Sequence, residues 1–412
     1  MTSSNKRSDQ GSRSFIPDGL KFATCCSGTK YQNRDDLLLI VLDPGSHICA
    51  CFTLSTMPSA PVIWSKKNNK EDQNLKQKVV LLINAGNANA FTGKDGLVAC
   101  KEKAAALATI LSCEKKNIFF ASTGVIGEKL PHKKIILHFD YLQRNLSPSN
   151  FKDASNAILT TDLKPKFYTS KFKVCNKVFR ISGFAKGSGM IYPKMATMLA
   201  FLFTDFAIDK DALSVLTKKA VDQSFNRISV DGDTSTSDSV FVATTNKISL
   251  KVTKEKKEKA LNTFYTELKK AMIDLAKKIV MDGEGAKKFI EITVTNARTA
   301  TSARKICFSI ANSLLVKTAI AGEDANWGRL IMAIGKTKIN LKIEKIKIYI
   351  QKFLLCENGQ ANKKIDDTKL SHALKRKTVN ITVDLGEGSK DFMVWTSDLT
   401  EDYIKINADY RS

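Results

Sequence analysis

The chain has 412 residues, 43% of them apolar, and a formal net charge of +24 from 65 Lys and Arg against 41 Asp and Glu. That length and apolar content suffice for a large core and suggest two or three domains, while the lack of any run of about eighteen apolar residues argues against a membrane helix. A phosphate-backbone binder would gather its basic residues on one face or tail. Here the lysines are dispersed and share segments with Glu, as in Lys254-Glu-Lys-Lys-Glu-Lys259, so no specific nucleic-acid partner is expected. A basic surface still draws acidic small molecules.

In chain order, residues 1–14 are polar and charged without an apolar stretch, which suggests a flexible tail rather than a secretory signal. Leu37–Leu42, Val79–Ile83 and Ile118–Ala121 are short apolar runs of the kind that form strands buried on both faces. The last two lead into Gly-, Asn- and Thr-rich loops, the usual place for sites in α/β proteins. Lys101–Leu111, rich in Ala and Leu, is a predicted helix, as are Asp209–Ser224 and Glu255–Val280. In the last of these, apolar residues at 261, 264, 268, 272, 275 and 279 form a helical stripe. Strands are predicted at Ile290–Val294, Ile306–Ile310, Ile339–Ile350, Val379–Leu385 and Phe392–Trp395, with a phase change between Ile343 and Ile346. Gly386-Glu-Gly388 signals a turn that would join the last two as a hairpin. Periodicity alone gives a mixed α/β chain.

The densest signal lies near the midpoint, Lys186-Gly-Ser-Gly-Met-Ile-Tyr-Pro-Lys-Met-Ala-Thr-Met-Leu199. A glycine-rich, proline-containing bend delivers Thr197 at the head of an apolar run. Attack of the Thr197 hydroxyl on the Ala196 carbonyl would split the chain and leave Thr197 as a new N-terminus, with a hydroxyl nucleophile and its own amine as base. On spacing alone, a loop entering a buried strand or helix is the commoner outcome. The nine cysteines lack metal-ligand spacing and fit free thiols in a reducing cytosol. The four histidines (47, 132, 138, 372) read as structural or surface residues. The Asp231/Asp233 pair is incomplete as a calcium loop, and no metal or organic cofactor is expected.

Beyond this bend, the chain carries Asn84-Ala-Gly-Asn-Ala-Asn-Ala90, Ser122-Thr-Gly-Val-Ile-Gly-Glu-Lys-Leu-Pro131, Ser229-Val-Asp-Gly-Asp-Thr-Ser-Thr236, Asp282-Gly-Glu-Gly-Ala286, Leu315-Val-Lys-Thr-Ala-Ile320, Gly322-Glu-Asp-Ala-Asn-Trp-Gly-Arg329 and a C-terminal Asp398–Ser412 block. With these blocks in this order, the chain resembles the glutamate N-acetyltransferase (ornithine acetyltransferase) family of arginine biosynthesis, from about Phe15 onward. The resemblance implies an α/β fold, a layered α-β-β-α sandwich with a smaller C-terminal lobe. It also implies self-cleavage into an α chain (15–196, after the 1–14 tail) and a β chain (197–412), assembled as two α and two β chains.

The resemblance further implies acetyl transfer from N-acetylornithine to glutamate through an acetyl-Thr197 intermediate. Thr123 and Gly124, in the loop after the Ile118–Ala121 strand, would form the oxyanion hole. Thr160 (or its neighbour Thr161), Lys186, Thr197, Glu284, Asn407 and Ser412 would bind substrate, Lys186 taking a carboxylate and Glu284 an amine. Some members of the family also use acetyl-CoA as a co-substrate. Asn84–Ala90 and Gly322–Arg329 read as site-supporting turns. Tyr192 and Lys194 depart from the family pattern near the scissile bond, as do Phe91, Ser237, Ala325 and Ser412 elsewhere. Two alternatives share these features in part: a self-cleaving amidase or aminopeptidase that transfers acyl groups to water, and an uncleaved basic binding protein.

Overall fold

A computed structural model describes residues 14–192, 198–250 and 253–408. The chain separates into two compact units. The first comprises residues 1–187, 194–226 and 234–276, and the second comprises 188–193, 227–233 and 277–412.

Among the described residues nine strands build the first unit: β1 (Leu20–Cys25), β2 (Leu37–Leu42), β3 (His47–Phe52), β4 (Val79–Asn87), β5 (Ile118–Val125), β6 (Lys166–Val174), β7 (Lys177–Lys186), β8 (Leu199–Phe206) and, after the two-residue β9 (Ile228–Ser229) of the second unit, β10 (Ser239–Ile248). One sheet has the order β1-β2-β4-β5 and the other β3-β10-β8-β7-β6. All residues of β2, β4 and β8 are buried, as the unbroken apolar runs predict. One core joins the inward residues of both sheets, among them Phe22, Ile40, Leu81, Phe119, Phe184, Phe201 and Phe241. A second core packs the other face of the four-stranded sheet against the helices Gly93–Leu111, His132–Ile136 and Phe139–Arg144. On the far side of the five-stranded sheet, Phe206 stacks on Phe264 of the long helix Lys254–Met281 at 5.1 Å, and Cys49 meets Thr217 of the helix Lys210–Asp222. The layers are therefore α-β-β-α. Strand faces apolar on both sides must be covered on both sides, and a sheet partner plus a helix layer does this for each sheet.

The second unit is a seven-stranded sheet. Its strands are β9, β11 (Phe289–Ala297), β12 (Lys347–Ile350), β13 (Phe353–Glu357), β14 (Gln360–Ala361), β15 (Thr378–Asp384) and β16 (Lys390–Ser397), in the order β14-β13-β12-β15-β11-β16-β9. Three expectations change here. Ile306–Ile310 lies in a helix, Ala300–Ala311, because Thr299 and Ser302 form a reciprocal cap and Ala303, Ile306, Cys307 and Ile310 fall on one helical face. The predicted strand Ile339–Ile350 survives only as Lys347–Ile350, since the phase change at Ile343 is a helical turn, Ile343–Lys345. β15 and β16 are not a hairpin. β11 runs between them, parallel to β15 and antiparallel to β16, and the Glu387 and Gly388 N–H groups both donate to the Asn296 carbonyl where the loop crosses the end of β11.

All nine cysteines are free thiols. Among the described residues no helix is long and apolar enough to cross a membrane. The inter-sheet core is aromatic: the Phe184 ring lies 5.5–6.2 Å from those of Phe22, Phe151, Phe201 and Phe203. Phe184→Ala is expected to lower the unfolding free energy by about 3–5 kcal/mol in urea titration. A loss below about 1 kcal/mol would mean that this layer contact is not a principal support of the sandwich.

Candidate active site

β4 and β5 run parallel and in register from Val80↔Ile118 to Asn87↔Val125. The strands thus extend past the predicted ends at Ile83 and Ala121, and Thr123 and Gly124 are strand residues rather than loop residues. The extension follows from polar satisfaction. The Ser122 hydroxyl donates to Asn84 Oδ1 at 2.6 Å, Asn84 Nδ2 donates to the Asn87 carbonyl at 2.8 Å, and the Ala88 N–H donates to the Val125 carbonyl at 2.9 Å. The whole Asn84–Ala90 segment is buried, so every such group needs a partner inside the protein. Gly124 has φ +129°, and a Cβ there would overlap the backbone of Gly86 and Asn87. Only glycine fits so close an approach.

Beside this corner stands Lys186, the last residue of β7 and nearly fully buried. Its Nζ donates to Thr160 Oγ1 at 2.7 Å and to Thr123 Oγ1 at 3.1 Å, and lies 3.8 Å from Asp162 Oδ2. Three of the predicted residues, Thr123, Thr160 and Lys186, are therefore neighbours, although 26 and 63 positions separate Lys186 from the two threonines. Sequence reasoning gave Asp162 no role. Its Oδ1 receives Lys166 Nζ at 2.6 Å and the Gly187 N–H at 2.6 Å, and its Oδ2 receives the Thr160 N–H at 3.2 Å. Burial alone would raise its pKa, but the charges of Lys186 and Lys166 and the bonds from Lys166 and Gly187 bring it down to about 2. Asp162 closes the Leu159-Thr-Thr-Asp162 motif, and its place beside the expected substrate threonines is the sequence signal for it.

A second unflagged carboxyl belongs to Asp238. It is fully buried, its Oδ1 accepts the Met198 N–H at 3.0 Å, and its Oδ2 has no hydrogen-bond partner among the described residues. Burial holds its pKa well above the ordinary aspartate value, against the pull of that N–H and of Lys186. The Met198 carbonyl in turn accepts the Ser239 N–H at 3.1 Å, so β8 is pinned at its first step by both groups of Met198.

The other predicted substrate residues fall in the second unit. Glu284 lies in the turn after the long helix, its N–H donating to the Ser188 carbonyl at 3.0 Å and its Oε2 accepting Asn407 Nδ2 at 2.9 Å. Glu284 and Asn407, the latter on the helix Glu401–Ala408, are therefore brought together. A Cβ on Gly189 would collide with the Glu284 carboxylate, so the second glycine of the bend makes room for it. Asp231 caps the same bend. Its carboxylate accepts the N–H groups of Met190 and Ile191 at 2.5 and 2.8 Å and the Tyr403 hydroxyl at 3.3 Å. No cluster of three or more potential metal ligands occurs among the described residues. Ala196, Thr197 and Ser412 lie outside the described residues.

The model of the ArgJ family matches residues 21–412. The arginine biosynthesis bifunctional protein ArgJ of Nitrobacter winogradskyi is 42% identical over 405 residues, covering 96% of this chain and 97% of its own. The protein of that name from Bradyrhizobium diazoefficiens is 42% identical over 406 residues, with the same coverage. A solved chain of the arginine biosynthesis bifunctional protein argJ from Bacillus halodurans is 39% identical over 52% of this chain and 99% of that chain, at a TM-score of 0.48.

The depressed pKa of Asp162 sets a pH window. A carboxyl whose folded pKa lies below its unfolded value stabilises the fold above the unfolded value, about 4, and loses that contribution as pH falls toward the folded one. The stability difference between wild type and Asp162→Asn should be full at neutral pH and shrink between about pH 4 and about pH 2, measured by urea unfolding at stepped pH. A difference independent of pH over that range would show that the charge of Asp162 is not what stabilises the cluster.

Proposed function

The chain belongs to the ArgJ family and is an acetyltransferase of arginine biosynthesis, and from that premise we propose that it moves the acetyl group of N-acetylornithine to glutamate through Thr197. The observation that carries this reading is the corner near the end of β5 where Thr123, buried, and Gly124, half-buried, stand beside Lys186, a fixed set of donors of the kind that acyl transfer requires.

The chain first cuts itself. The Thr197 hydroxyl adds to the Ala196 carbonyl, the peptide nitrogen leaves as the Thr197 α-amine, and water hydrolyses the resulting ester. Residues 1–196 and 197–412 stay associated. The freed amine, with an ordinary pKa of about 7.7–8.0, then serves as base for its own hydroxyl. That hydroxyl attacks the acetyl carbonyl of N-acetylornithine, the oxyanion is held by Thr123 and Gly124, and the ornithine amine leaves with a proton. Acetyl-Thr197 is next attacked by the amine of glutamate, which departs as N-acetylglutamate. Lys186 and Thr160 serve the substrate carboxylate, and Glu284 with Asn407 serves its amine, with Ser412 completing the set.

No metal or organic cofactor enters this scheme. Acetyl-CoA would be a co-substrate if the chain shares the second donor. The assembly that accompanies the reading is two α and two β chains in the cytoplasm. Asp238 supports it through the pinned Met198, which fixes the backbone one residue after the nucleophile.

Denaturing intact-mass measurement is expected to give two fragments meeting at Ala196/Thr197, and a single chain for Thr197→Ala. Ornithine release from N-acetylornithine should require glutamate and be absent in Thr197→Ala. Release at the same rate without glutamate would favour transfer to water by a self-cleaving amidase. A Thr197→Ala protein that still transfers acetyl groups would overturn the assignment.

A further inference from the structure

A lysine ammonium has three donors and no acceptor. In the contact between Lys186 Nζ and Thr123 Oγ1, at 3.1 Å, the threonine oxygen must therefore accept. The Thr123 hydroxyl proton is thereby turned away from Lys186, and no acceptor for it occurs among the described residues. Thr123 lies two residues before the end of β5, fixed by the register with β4 and by the close approach of Gly124 to Gly86. Its hydroxyl is thus oriented as a donor before any substrate arrives.

The charge behind this donor is itself fixed. Lys186 is held by Thr160 Oγ1 at 2.7 Å and faces Asp162 at 3.8 Å, whose other oxygen is tied to Lys166 and to the Gly187 N–H. The Asp162 side chain is fully buried, so its carboxylate is screened little by water. The backbone bond to Gly187 also locks the position of the residue following Lys186. An ammonium that donates to a hydroxyl oxygen polarises the O–H bond and strengthens its onward hydrogen bond, more so in a low-dielectric interior.

We propose that Asp162 and Lys186 are positioning residues for the oxyanion, acting through Thr123: Asp162 fixes the Lys186 ammonium, and Lys186 orients and polarises the Thr123 hydroxyl as an oxyanion donor. This inference rests on the acetyl-Thr197 reading and deepens it. It gives Lys186 work in the chemical step that binding of a substrate carboxylate alone would not give. The same relay serves self-cleavage, where no substrate carboxylate is present.

The test is a double-mutant cycle on Lys186→Met and Thr123→Val, read as the rate of Thr197 acetylation at saturating N-acetylornithine by quenched intact-mass measurement. Where a variant stays uncut, the cycle is read in the rate of chain cleavage. Each single substitution is expected to slow the step by about 10²–10³-fold, the usual cost of one oxyanion donor. The double variant should be no more than about threefold slower than the slower single, because the two act as one unit. Thr123→Ser, which restores the hydroxyl, should recover the rate to within about tenfold of wild type. Asp162→Asn should lower kcat with KM changed less than about threefold.

Lys186→Met that raises KM and leaves kcat and chain cleavage intact overturns the relay, as do effects that multiply in the double variant. A wild-type chain that is never acetylated on Thr197 overturns the parent reading together with the relay. An acetylated wild type with a multiplicative cycle overturns the relay alone.

Discussion

A carboxylate without water must be surrounded by donors, and in the first unit the chain around the start of β6 and the end of β7 supplies them to Asp162. Its two oxygens collect Lys166 from the start of β6, the Thr160 amide from the preceding loop, and the Gly187 amide and Lys186 ammonium from the end of β7. Those groups come from separate pieces of chain. Removing any one leaves a buried charge or donor exposed to the full desolvation cost, so the cluster makes the position of each piece depend on the others. The sandwich makes the cluster possible, because β7 lies within the five-stranded sheet and its last residue emerges beside the polar ends of β4 and β5.

The close approach of β5 to β4 is the second constraint. Parallel strands buried at every position but Gly124 have little solvent to satisfy their ends, and the Asn84, Ser122 and Asn87 side chains supply those bonds. The strand pair therefore stays regular as far as Asn87 and Val125. Thr123 and Gly124 inherit the rigidity of the sheet instead of the mobility of a loop, which suits groups that must be in place before charge develops.

The Lys186–Met190 stretch serves both units in consecutive residues. Lys186 and Gly187 belong to the first, while Ser188, Gly189 and Met190 belong to the second. In the second unit the bend is held by Asp231 through two backbone amides, by the Glu284 amide on the Ser188 carbonyl, and by the space that Gly189 leaves for the Glu284 carboxylate. The aspartate that sequence spacing set aside as an incomplete calcium loop is a cap for this bend. Tyr403, on the helix that also carries Asn407, reaches the same carboxylate.

The family, the α/β class and the buried strands are legible in the residue order, because uninterrupted apolar runs and ordered motif blocks are local patterns that need no partner to be seen. Through the family resemblance it also pointed to Thr123, Thr160 and Lys186, which the fold makes neighbours within the first unit, and to Glu284 and Asn407, which it makes neighbours within the second. That Lys186 donates to Thr123, that Asp162 and Asp238 are buried carboxyls with displaced pKa values, and that β11 separates β15 from β16 emerge once the chain is folded. Ile306–Ile310 has the composition of a strand yet is helical, because a short apolar run has no period of its own and the Thr299–Ser302 cap that starts the helix lies outside the run. Burial and hydrogen-bond direction are properties of what a side chain meets across the fold, and residues 63 positions apart carry no mark in the sequence that they will meet.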